Sequence, residues 1–288
     1  MNGFAGLRVL ALESRRAQEL AKLISNYGGE PVVAPAMREV PLDSNTEALS
    51  FAEALIAQKF DMVIFLTGVG TRAVLSVAET KYPREDFIAA LQGVKVVPRG
   101  PKPIAVLREL GVTPALTVPE PNTWRELLQT LDEAAKSLPD FRLRGARIAL
   151  QEYGVSNPEL IAGLSDRGAV VTRVPVYQWA LPEDVVPLQS AIKELAAGKI
   201  DIVLFTTGIQ VAHLFEVAAE MKLDDALRQG LRRAVVASIG PTTSEELQRK
   251  GIRPDLEPSH PKMGFLVKEA SEQAAALLSK KRQGTASA

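Results

Sequence analysis

The chain repeats itself after about half its length. The matched positions are, in chain order, Arg8 with Arg147, Asp61 with Asp201, Thr67-Gly68 with Thr207-Gly208, and Gly100-Pro101 with Gly240-Pro241. The offset is 139 for the first pair and 140 for the other three. This period is much longer than the roughly 20–50 residues of a solenoid repeat. The period therefore predicts two domains of similar fold. A chain of 288 residues, 46% of them hydrophobic, is long enough to form two hydrophobic cores.

Both halves alternate apolar strands with amphipathic helices. Met62–Leu66 is an uninterrupted apolar run, and residues 200–205 are its counterpart in the second half. Such runs are typical of strands in a parallel sheet that is covered on both faces. The pattern predicts an α/β fold of two similar domains, each a parallel sheet flanked by helices. Ligands of such sheets bind at the carboxyl ends of the strands.

Local signals predict further elements. A short strand is predicted at Ala115–Val118, followed by a helix whose N-cap is Asn122 or Thr123. The last helix is expected over Met263–Leu278, with a disordered tail at residues 280–288.

Charge balance and residue types exclude several classes of function. The 34 basic and 34 acidic residues cancel, which argues against a nucleic-acid binder and a membrane-surface protein. The absence of cysteine excludes disulfides, thiolate catalysis and Cys-ligated metals, while His213 and His260 are too few for a metal site. The N-terminus lacks a signal-peptide core, and no apolar run approaches the ~18 residues of a membrane span. We therefore expect a cytoplasmic protein with neither a nucleic-acid nor a membrane partner.

The turn at Gly240-Pro241 is the clearest candidate for a binding site. It lies between an apolar run, Val235–Ile239, and a helix that is preceded by Thr242, Thr243 and Ser244. A helix N-terminus offers free N–H groups and a positive dipole end, and hydroxyls beside it complete a site suited to an anion. Ordinary capping of the helix by these hydroxyls is the alternative interpretation.

The turn at Thr67–Ala73 has a second interpretation. Its G-x-G-x-x-A pattern, between a strand and a helix, matches the loose fingerprint of dinucleotide-binding proteins. However, the next strand ends in Pro98-Arg99-Gly100 without an acidic residue, and the twin turn Thr206–Gln210 lacks the second glycine. We therefore predict no nicotinamide or flavin cofactor, although glycines still allow a ligand to approach the backbone closely.

Four segments together resemble a known family. They are Ala237-Ser-Ile-Gly-Pro-Thr-Thr243 with the following helix and Lys250-Gly251, the Val-Tyr177-Gln segment, Phe205-Thr-Thr-Gly208, and Arg72-Ala73-Val74. In these motifs the chain resembles the uroporphyrinogen-III synthase (HemD-like) family, over roughly Arg8 to Leu278. The resemblance implies a lyase, specifically a hydro-lyase of tetrapyrrole biosynthesis, and the lack of cofactor motifs predicts that it uses no cofactor. Such an enzyme closes hydroxymethylbilane to uroporphyrinogen III while inverting the last pyrrole ring.

The resemblance also implies an architecture and partners. Residues 1–38 and 180–288 would form one discontinuous domain, and residues 42–176 would form the other, inserted domain. Two extended connectors, around Pro35–Asp43 and Pro175–Pro182, would pair as a two-stranded link, with the active site in a cleft between the domains. The expected partners are the substrate and a transient hand-over from hydroxymethylbilane synthase, and the expected state is a monomer.

The implied site consists of one catalytic residue and a set of substrate-binding residues. Tyr177 corresponds to the family tyrosine and would donate a proton or a hydrogen bond to the departing hydroxyl, with simple packing against Trp179 as the alternative. The predicted substrate-binding residues are Arg15, Thr67, Gly68, Gly70, Thr71, Arg72, Arg99, Gly100, Thr207, Gly208, Ser238, Gly240, Thr242 and Thr243. No metal ligand is predicted.

Two other functional classes stay open at this point. The Thr-Ser-Pro type of turn found in the family is Thr67-Gly-Val-Gly-Thr71 here, and a HemD-like fold without activity would be a binding or regulatory protein for a tetrapyrrole or another polyanion. A periplasmic-type solute receptor would share the two-lobed design but requires export.

Overall fold

The computed structural model describes residues 3–42, 45–152, 154 and 156–285. The strands are β1 Arg8–Ala11, β2 Glu30–Val33, β3 Arg38–Pro41, β4 Met62–Phe65, β5 Lys95–Pro98, β6 Arg147–Gln151, β7 Val170–Val174, β8 Tyr177–Ala180, β9 Ile202–Phe205 and β10 Val235–Ser238. The helices are α1 Ala17–Asn26, α2 Thr46–Ile56, α3 Gly68–Ala78, α4 Arg84–Gln92, α5 Pro101–Glu109, α6 Trp124–Ser137, α7 Pro158–Asp166, α8 Val186–Ala196, α9 Gly208–Glu220, α10 Asp224–Arg233, α11 Pro241–Arg249 and α12 Met263–Thr285. Strands and helices alternate through both halves, as the sequence predicts.

The chain divides into two compact units. The first unit consists of the residues up to Arg38 together with those from Ala180 onward, and the second unit is Glu39–Trp179. The division falls within β3 and β8, which pair with each other as a separate two-stranded sheet. These strands lie in the two proline-containing segments that the sequence analysis interprets as connectors.

Each unit is built on one four-stranded parallel sheet. The strand order is β10-β9-β1-β2 in the first unit and β5-β4-β6-β7 in the second. The internal repeat matches β1 with β6 and β9 with β4, so the two sheets have the same topology. In register, Val9 pairs with Ile202 and the equivalent Ile148 pairs with Met62. The fold class predicted from the sequence is confirmed, because both sheets are parallel and flanked by helices.

Apolar runs place the central strands in the middle of each core. All four residues of β4 are buried, and so are all four of β9. Alternate residues of β4 face opposite sides, since Val63 and Phe65 belong to one hydrophobic cluster while Met62 and Ile64 belong to another. Each sheet is therefore covered on both faces, which explains why its central strands read as continuous hydrophobic runs.

Two local predictions need correction. Residues Ala115–Val118 do not form a strand, although the Ala115 N–H donates to Val96 O of the sheet at 2.8 Å. The expected disordered tail is wrong for residues 280–285, because α12 continues through them to Thr285. Lys281 stabilises this extension by donating to Ala234 O at 2.6 Å and to Asp255 Oδ2 at 2.5 Å. The rest of that tail, residues 286–288, lies outside the described residues.

Candidate functional site

Parallel pairing brings the predicted turns together at one edge of each sheet. In the second unit the ends of β4, β5 and β6 are neighbours, because Phe65 pairs with both Pro98 and Gln151. In the first unit Phe205 pairs with Ser238 at the equivalent edge. The turns after β4 and β5, and those after β9 and β10, are the ones that the sequence selects as binding turns.

Thr67 organises the turn between β4 and α3. It is the N-cap of α3 in an extended conformation (φ −143°, ψ 149°), and its Oγ1 accepts a hydrogen bond from the Gly70 N–H at 3.0 Å. Thr71, which is 2% exposed, donates its hydroxyl back to Thr67 O at 2.8 Å. The structure thus brings Thr67, Gly70 and Thr71 together, with the Thr71 hydroxyl satisfied inside the helix.

Packing explains why this turn contains two glycines. A Cβ at Gly68 would lie 2.8 Å from Lys102 O, so glycine permits the backbone of α5 to approach the start of α3. A Cβ at Gly70 would lie 2.0 Å from Nε2 of Gln151. Both glycines therefore have a structural reason that does not depend on a ligand, and their part in binding stays a prediction.

Tyr177 lies in the second unit against the Thr67 turn. It is the first residue of β8, is 5% exposed, and belongs to the hydrophobic cluster that includes Phe65. Its hydroxyl lies 3.4 Å from Thr67 Oγ1, longer than the roughly 2.5–3.0 Å of an ordinary O–H···O hydrogen bond, and either group can be the donor. The predicted catalytic residue and Thr67, a predicted substrate-binding residue, are therefore in contact.

Trp179 packs against Tyr177, as the alternative interpretation expects. The two rings meet edge to face, with centroids 5.4 Å apart and an angle of 80°. Gly154, with φ +62°, lies directly against the tryptophan ring, because a Cβ there would come 1.9 Å from Trp179 Cδ1. The packing and the contact with Thr67 occur together, so the tryptophan fixes the orientation of the tyrosine ring.

Two polar residues at this edge were missed by sequence reasoning. Gln151, 1% exposed, ends β6 and accepts a hydrogen bond from the Thr67 N–H at 3.4 Å. The side chain of Glu152, 4% exposed, accepts from Arg173 Nε at 2.9 Å and from Ser156 Oγ at 2.7 Å. A buried carboxylate that is paired in this way is electrostatically balanced. The signal available in the sequence was the polar Gln151-Glu152 pair directly after an apolar run.

The remaining predicted residues of the second unit lie near α5. Gly100 is the N-cap of α5, and Arg99 is half-buried with its N–H donating to Phe65 O at 2.9 Å. Arg72 is exposed and forms an ion pair with Glu109, with 2.6 Å between Nη2 and Oε2. Exposed pairs of this kind are weak, so a carboxylate ligand can compete with Glu109 for the guanidinium.

The equivalent turn of the first unit uses its polar groups differently. Thr207 is the N-cap of α9 in an extended conformation, but its side chain makes no capping hydrogen bond. The preceding Thr206 instead donates its hydroxyl to Glu13 Oε2 at 2.7 Å, and its N–H donates to Gln210 Oε1 at 2.8 Å. Gly208 lies at the start of α9, where a Cβ would meet Glu246 Cβ at 3.4 Å, an ordinary contact.

The turn after β10 combines buried and exposed hydroxyls. Ser238 is fully buried and donates to Gly240 O at 3.0 Å, which holds the turn in shape. Gly240 is the N-cap of α11, Thr242 is exposed in the first helical turn, and Thr243 is 3% exposed. Helix α11 begins at Pro241, so Thr242 and Thr243 lie inside the helix rather than before it. Thr242 is accordingly the accessible hydroxyl of the predicted pair.

Arg15 lies apart from these turns in sequence but at the same kind of position, after β1. It is exposed, in the short turn before α1, and borders a surface depression of about 540 Å³ lined by residues 14–19. A guanidinium there is accessible to an anion.

A strongly lowered pKa is found at the opposite edge of the second sheet. Asp61 precedes β4 and accepts hydrogen bonds from Arg147, from Nη2 to Oδ1 at 2.8 Å and from the backbone N–H to Oδ2 at 2.8 Å. These side-chain and backbone hydrogen bonds lower the pKa of Asp61 to about 2. The first unit repeats the backbone contact, since the Arg8 N–H donates to Asp201 Oδ2 at 2.9 Å. The role of the aspartate is therefore structural, because in each sheet it binds the first backbone N–H of the neighbouring strand.

The described ranges contain neither a cluster suited to a metal ion nor a helix suited to span a membrane. No cluster of three or more His, Cys, Asp or Glu residues there is arranged to hold a metal ion. Likewise, none of the helices in the described part of the chain is long and apolar enough to cross a membrane.

Comparison with known proteins identifies similar sequences and folds. The family model described as uroporphyrinogen-III synthase HemD matches residues 18–268. A protein of Bacillus subtilis (strain 168), named uncharacterized protein YjjA, is 32% identical over 274 residues, which is 94% of this chain and 97% of that protein.

Solved structures agree with the sequence comparison. A mutant uroporphyrinogen III synthase from the extremely thermophilic bacterium Thermus thermophilus is 25% identical, with a TM-score of 0.72 over 94% of this chain and 99% of that one. The wild-type enzyme from the same organism, in a second crystal form, is 28% identical with a TM-score of 0.55, over 94% and 98% of the two chains.

Proposed function

Because the chain belongs to the uroporphyrinogen-III synthase family, we propose that it is itself a uroporphyrinogen-III synthase. It cyclises hydroxymethylbilane with loss of water and inversion of the last pyrrole ring, and it is therefore a hydro-lyase. The observation that carries this proposal is the 3.4 Å contact between the Tyr177 hydroxyl and Thr67 Oγ1. A phenol supported by a hydroxyl at a helix N-terminus suits the proton donor that this reaction needs.

The first chemical step is loss of the terminal hydroxyl of the substrate. Tyr177 donates a proton or a hydrogen bond to that oxygen as it departs, and the N–H proton of the same pyrrole is released, so that water is lost overall and an electrophilic azafulvene remains. The charge that develops on the phenol oxygen is stabilised by the Thr67 hydroxyl and by the positive end of the α3 dipole. A catalytic contact that is long without substrate is expected to shorten when substrate binds.

The second requirement is control of geometry. The substituted carbon of the last ring attacks the azafulvene to give a spiro intermediate, which then fragments and recloses with the ring inverted. The uninverted closure is spontaneous, so the enzyme must hold the flexible chain in the conformation that leads to inversion.

The third requirement is recognition of a polycarboxylate. The N-terminal turns of α3, α5, α9 and α11 offer backbone N–H groups and a positive dipole end. Thr207 and Thr242 add hydroxyls, and Arg15, Arg72 and Arg99 add charge. This arrangement binds carboxylates mainly through N–H and O–H groups, which agrees with the neutral net charge of the protein.

We further propose that the enzyme acts as a cytoplasmic monomer that receives its unstable substrate directly after release from hydroxymethylbilane synthase. Analytical ultracentrifugation tests the monomer, and retention of activity when the two enzymes are kept in separate compartments would contradict a need for direct transfer.

A coupled assay tests the proposed function. Hydroxymethylbilane is generated enzymatically, this protein is added, and the type I and type III uroporphyrins are separated after oxidation. We expect predominantly type III. Only type I, the spontaneous product, from a folded protein would overturn the proposal and favour a non-catalytic protein that binds a tetrapyrrole or another polyanion.

A further inference from the structure

A buried glutamine lies beside a helix N-terminus in both units, but it occupies different positions of the repeat. In the second unit, α3 carries Gly70 and the neighbouring strand β6 ends in Gln151. In the first unit, α9 carries Gln210 at the position equivalent to Gly70, and Leu12 is equivalent to Gln151. One buried glutamine is therefore present in each unit, but it comes from the helix in the first and from the strand in the second.

Because of this exchange, the glutamine accepts a hydrogen bond from a different threonine in each unit. Gln210 Oε1 accepts from the N–H of Thr206, the residue before the N-cap of α9. Gln151 Oε1 accepts from the N–H of Thr67, which is the N-cap of α3 itself. Gln151 can reach this position because Gly70 has no side chain; a Cβ there would lie 2.0 Å from its Nε2.

Gln151 is itself fixed at both ends of its amide. Its Nε2 donates a hydrogen bond to Glu152 O while Oε1 accepts from the Thr67 N–H, and the residue is 1% exposed. The carboxylate of Glu152 is in turn bound by Arg173. The amide is therefore a rigid support that reaches from β6 to the N-cap of α3.

The Thr67 hydroxyl can accept one hydrogen bond while it donates another. Its Oγ1 accepts from the Gly70 N–H at 3.0 Å, which leaves its own hydroxyl hydrogen able to be donated to another acceptor. The Tyr177 oxygen lies 3.4 Å away. A phenol that accepts from Thr67 keeps its own proton for donation, and its oxygen is stabilised as that proton leaves.

We propose that Gln151 is a positioning residue for Tyr177, acting through the N-cap Thr67. The chain of contacts runs from the Gln151 amide to the Thr67 backbone, and from the Thr67 hydroxyl to the Tyr177 oxygen. The kinetic tests of this inference rest on the proposed synthase function, whereas the spectroscopic test rests on the contacts alone.

The kinetic test uses Gln151→Leu, since Leu12 shows that leucine fits the equivalent position of the first unit. We expect kcat to fall about tenfold, within the hundredfold that an ångström of misplacement can cost, with little change in KM. Gln129→Leu, which replaces an exposed glutamine of α6 in the same unit, is the matched control and leaves kcat unchanged.

A double-mutant cycle separates positioning from general damage. If Gln151 acts through Tyr177, adding Gln151→Leu to Tyr177→Phe lowers kcat no further, within about twofold. If the two losses multiply instead, Gln151 acts independently of the tyrosine and the proposal is wrong.

A measurement without turnover makes the proposal testable even if the protein proves inactive. With carbon-13-labelled tyrosine, the Cζ resonance of Tyr177 is assigned by its absence in Tyr177→Phe. We expect Thr67→Val and Gln151→Leu to shift this resonance in the same direction, because both weaken the hydrogen bond to the phenol. An unchanged resonance in a folded Gln151→Leu variant would overturn the inference, whereas failure of the synthase assay alone would overturn only the proposed function.

Discussion

The turns that begin α3 and α9 occupy equivalent places in the two repeats, yet they use their hydroxyls in opposite ways. Thr67 turns its hydroxyl inward, where it accepts from the Gly70 N–H and meets Tyr177. Thr207 makes no capping bond, and the adjacent Thr206 takes over the internal contact with Glu13. Duplication thus preserved two helix N-termini while their polar side chains diverged. We infer that the α3 turn supports proton transfer and that the α9 turn supports binding.

The largest expected difference in stability concerns the first glycine of each helix. Gly68→Ala should destabilise the second unit by about 1–3 kcal/mol, because the new methyl group meets the backbone of Lys102 at 2.8 Å. Gly208→Ala should be neutral or slightly stabilising, since its nearest contact is at 3.4 Å.

Denaturant unfolding checks this pair of variants. Both tryptophans, Trp124 and Trp179, belong to the second unit, so fluorescence reports on that unit while circular dichroism reports on both. Equal changes in the free energy of unfolding of the two variants would contradict the inferred difference in packing between the two turns.

A smaller effect is expected for the hydroxyls. Thr67→Val removes a capping hydrogen bond and should cost about 1 kcal/mol in the free energy of unfolding, together with a lower kcat. Thr207→Val has no capping bond to lose, so its stability should stay within a few tenths of a kcal/mol, while KM rises. If Thr207→Val is the more destabilising of the two, the assignment of roles to the turns is wrong.

The smallest effect concerns pH and the amino end of the second sheet. The hydrogen bonds with Arg147 lower the pKa of Asp61 from 3.8, the value for the unfolded chain, to about 2 in the folded protein. The contribution of Asp61 to the free energy of unfolding is therefore complete above the unfolded-state pKa and is lost as the pH falls through the folded-state pKa. Between about pH 4 and pH 2, Asp61→Asn should therefore lose less stability than the wild type. The side chain is half-exposed, which keeps the effect modest.

Fluorescence-monitored unfolding at several pH values provides the check. Asp140→Asn, an exposed loop acid of the same unit, is the matched control and should follow the wild type. Parallel pH profiles for Asp61→Asn and the wild type would contradict the role of the ion pair.

Much of the fold could be predicted, because it depends on patterns that are local or repeated. The apolar runs of β4 and β9 and the offset of 140 positions lead to two equivalent parallel sheets. Helices α4 and α10 were missed: α4 begins with the charged run Arg84-Glu85-Asp86, and charged residues make up half of α10, in which only Leu227, Gly230 and Leu231 are buried. The extension of α12 could not be foreseen, since it depends on acceptors such as Asp255 that are distant in sequence.

The site was predictable only in part, for a similar reason. Motifs selected Thr67 and Tyr177, and the fold brings their hydroxyls together although 110 positions separate them. Gln151 belongs to no motif, and its contact with Thr67 exists because β6 is the neighbour of β4 in the sheet. The roles of the hydroxyls also depended on geometry, since Ser238 proved to be buried and bonded to Gly240 O.

The most direct test of the central claim is the isomer composition produced by the wild type and by Tyr177→Phe, measured side by side with enzymatically generated hydroxymethylbilane. We predict that the wild type forms type III in large excess and that the folded variant loses more than about tenfold in turnover, leaving type I as its main product. Wild-type turnover to type III by Tyr177→Phe would contradict the account, because the phenol hydroxyl at Thr67 would then have no part in the reaction.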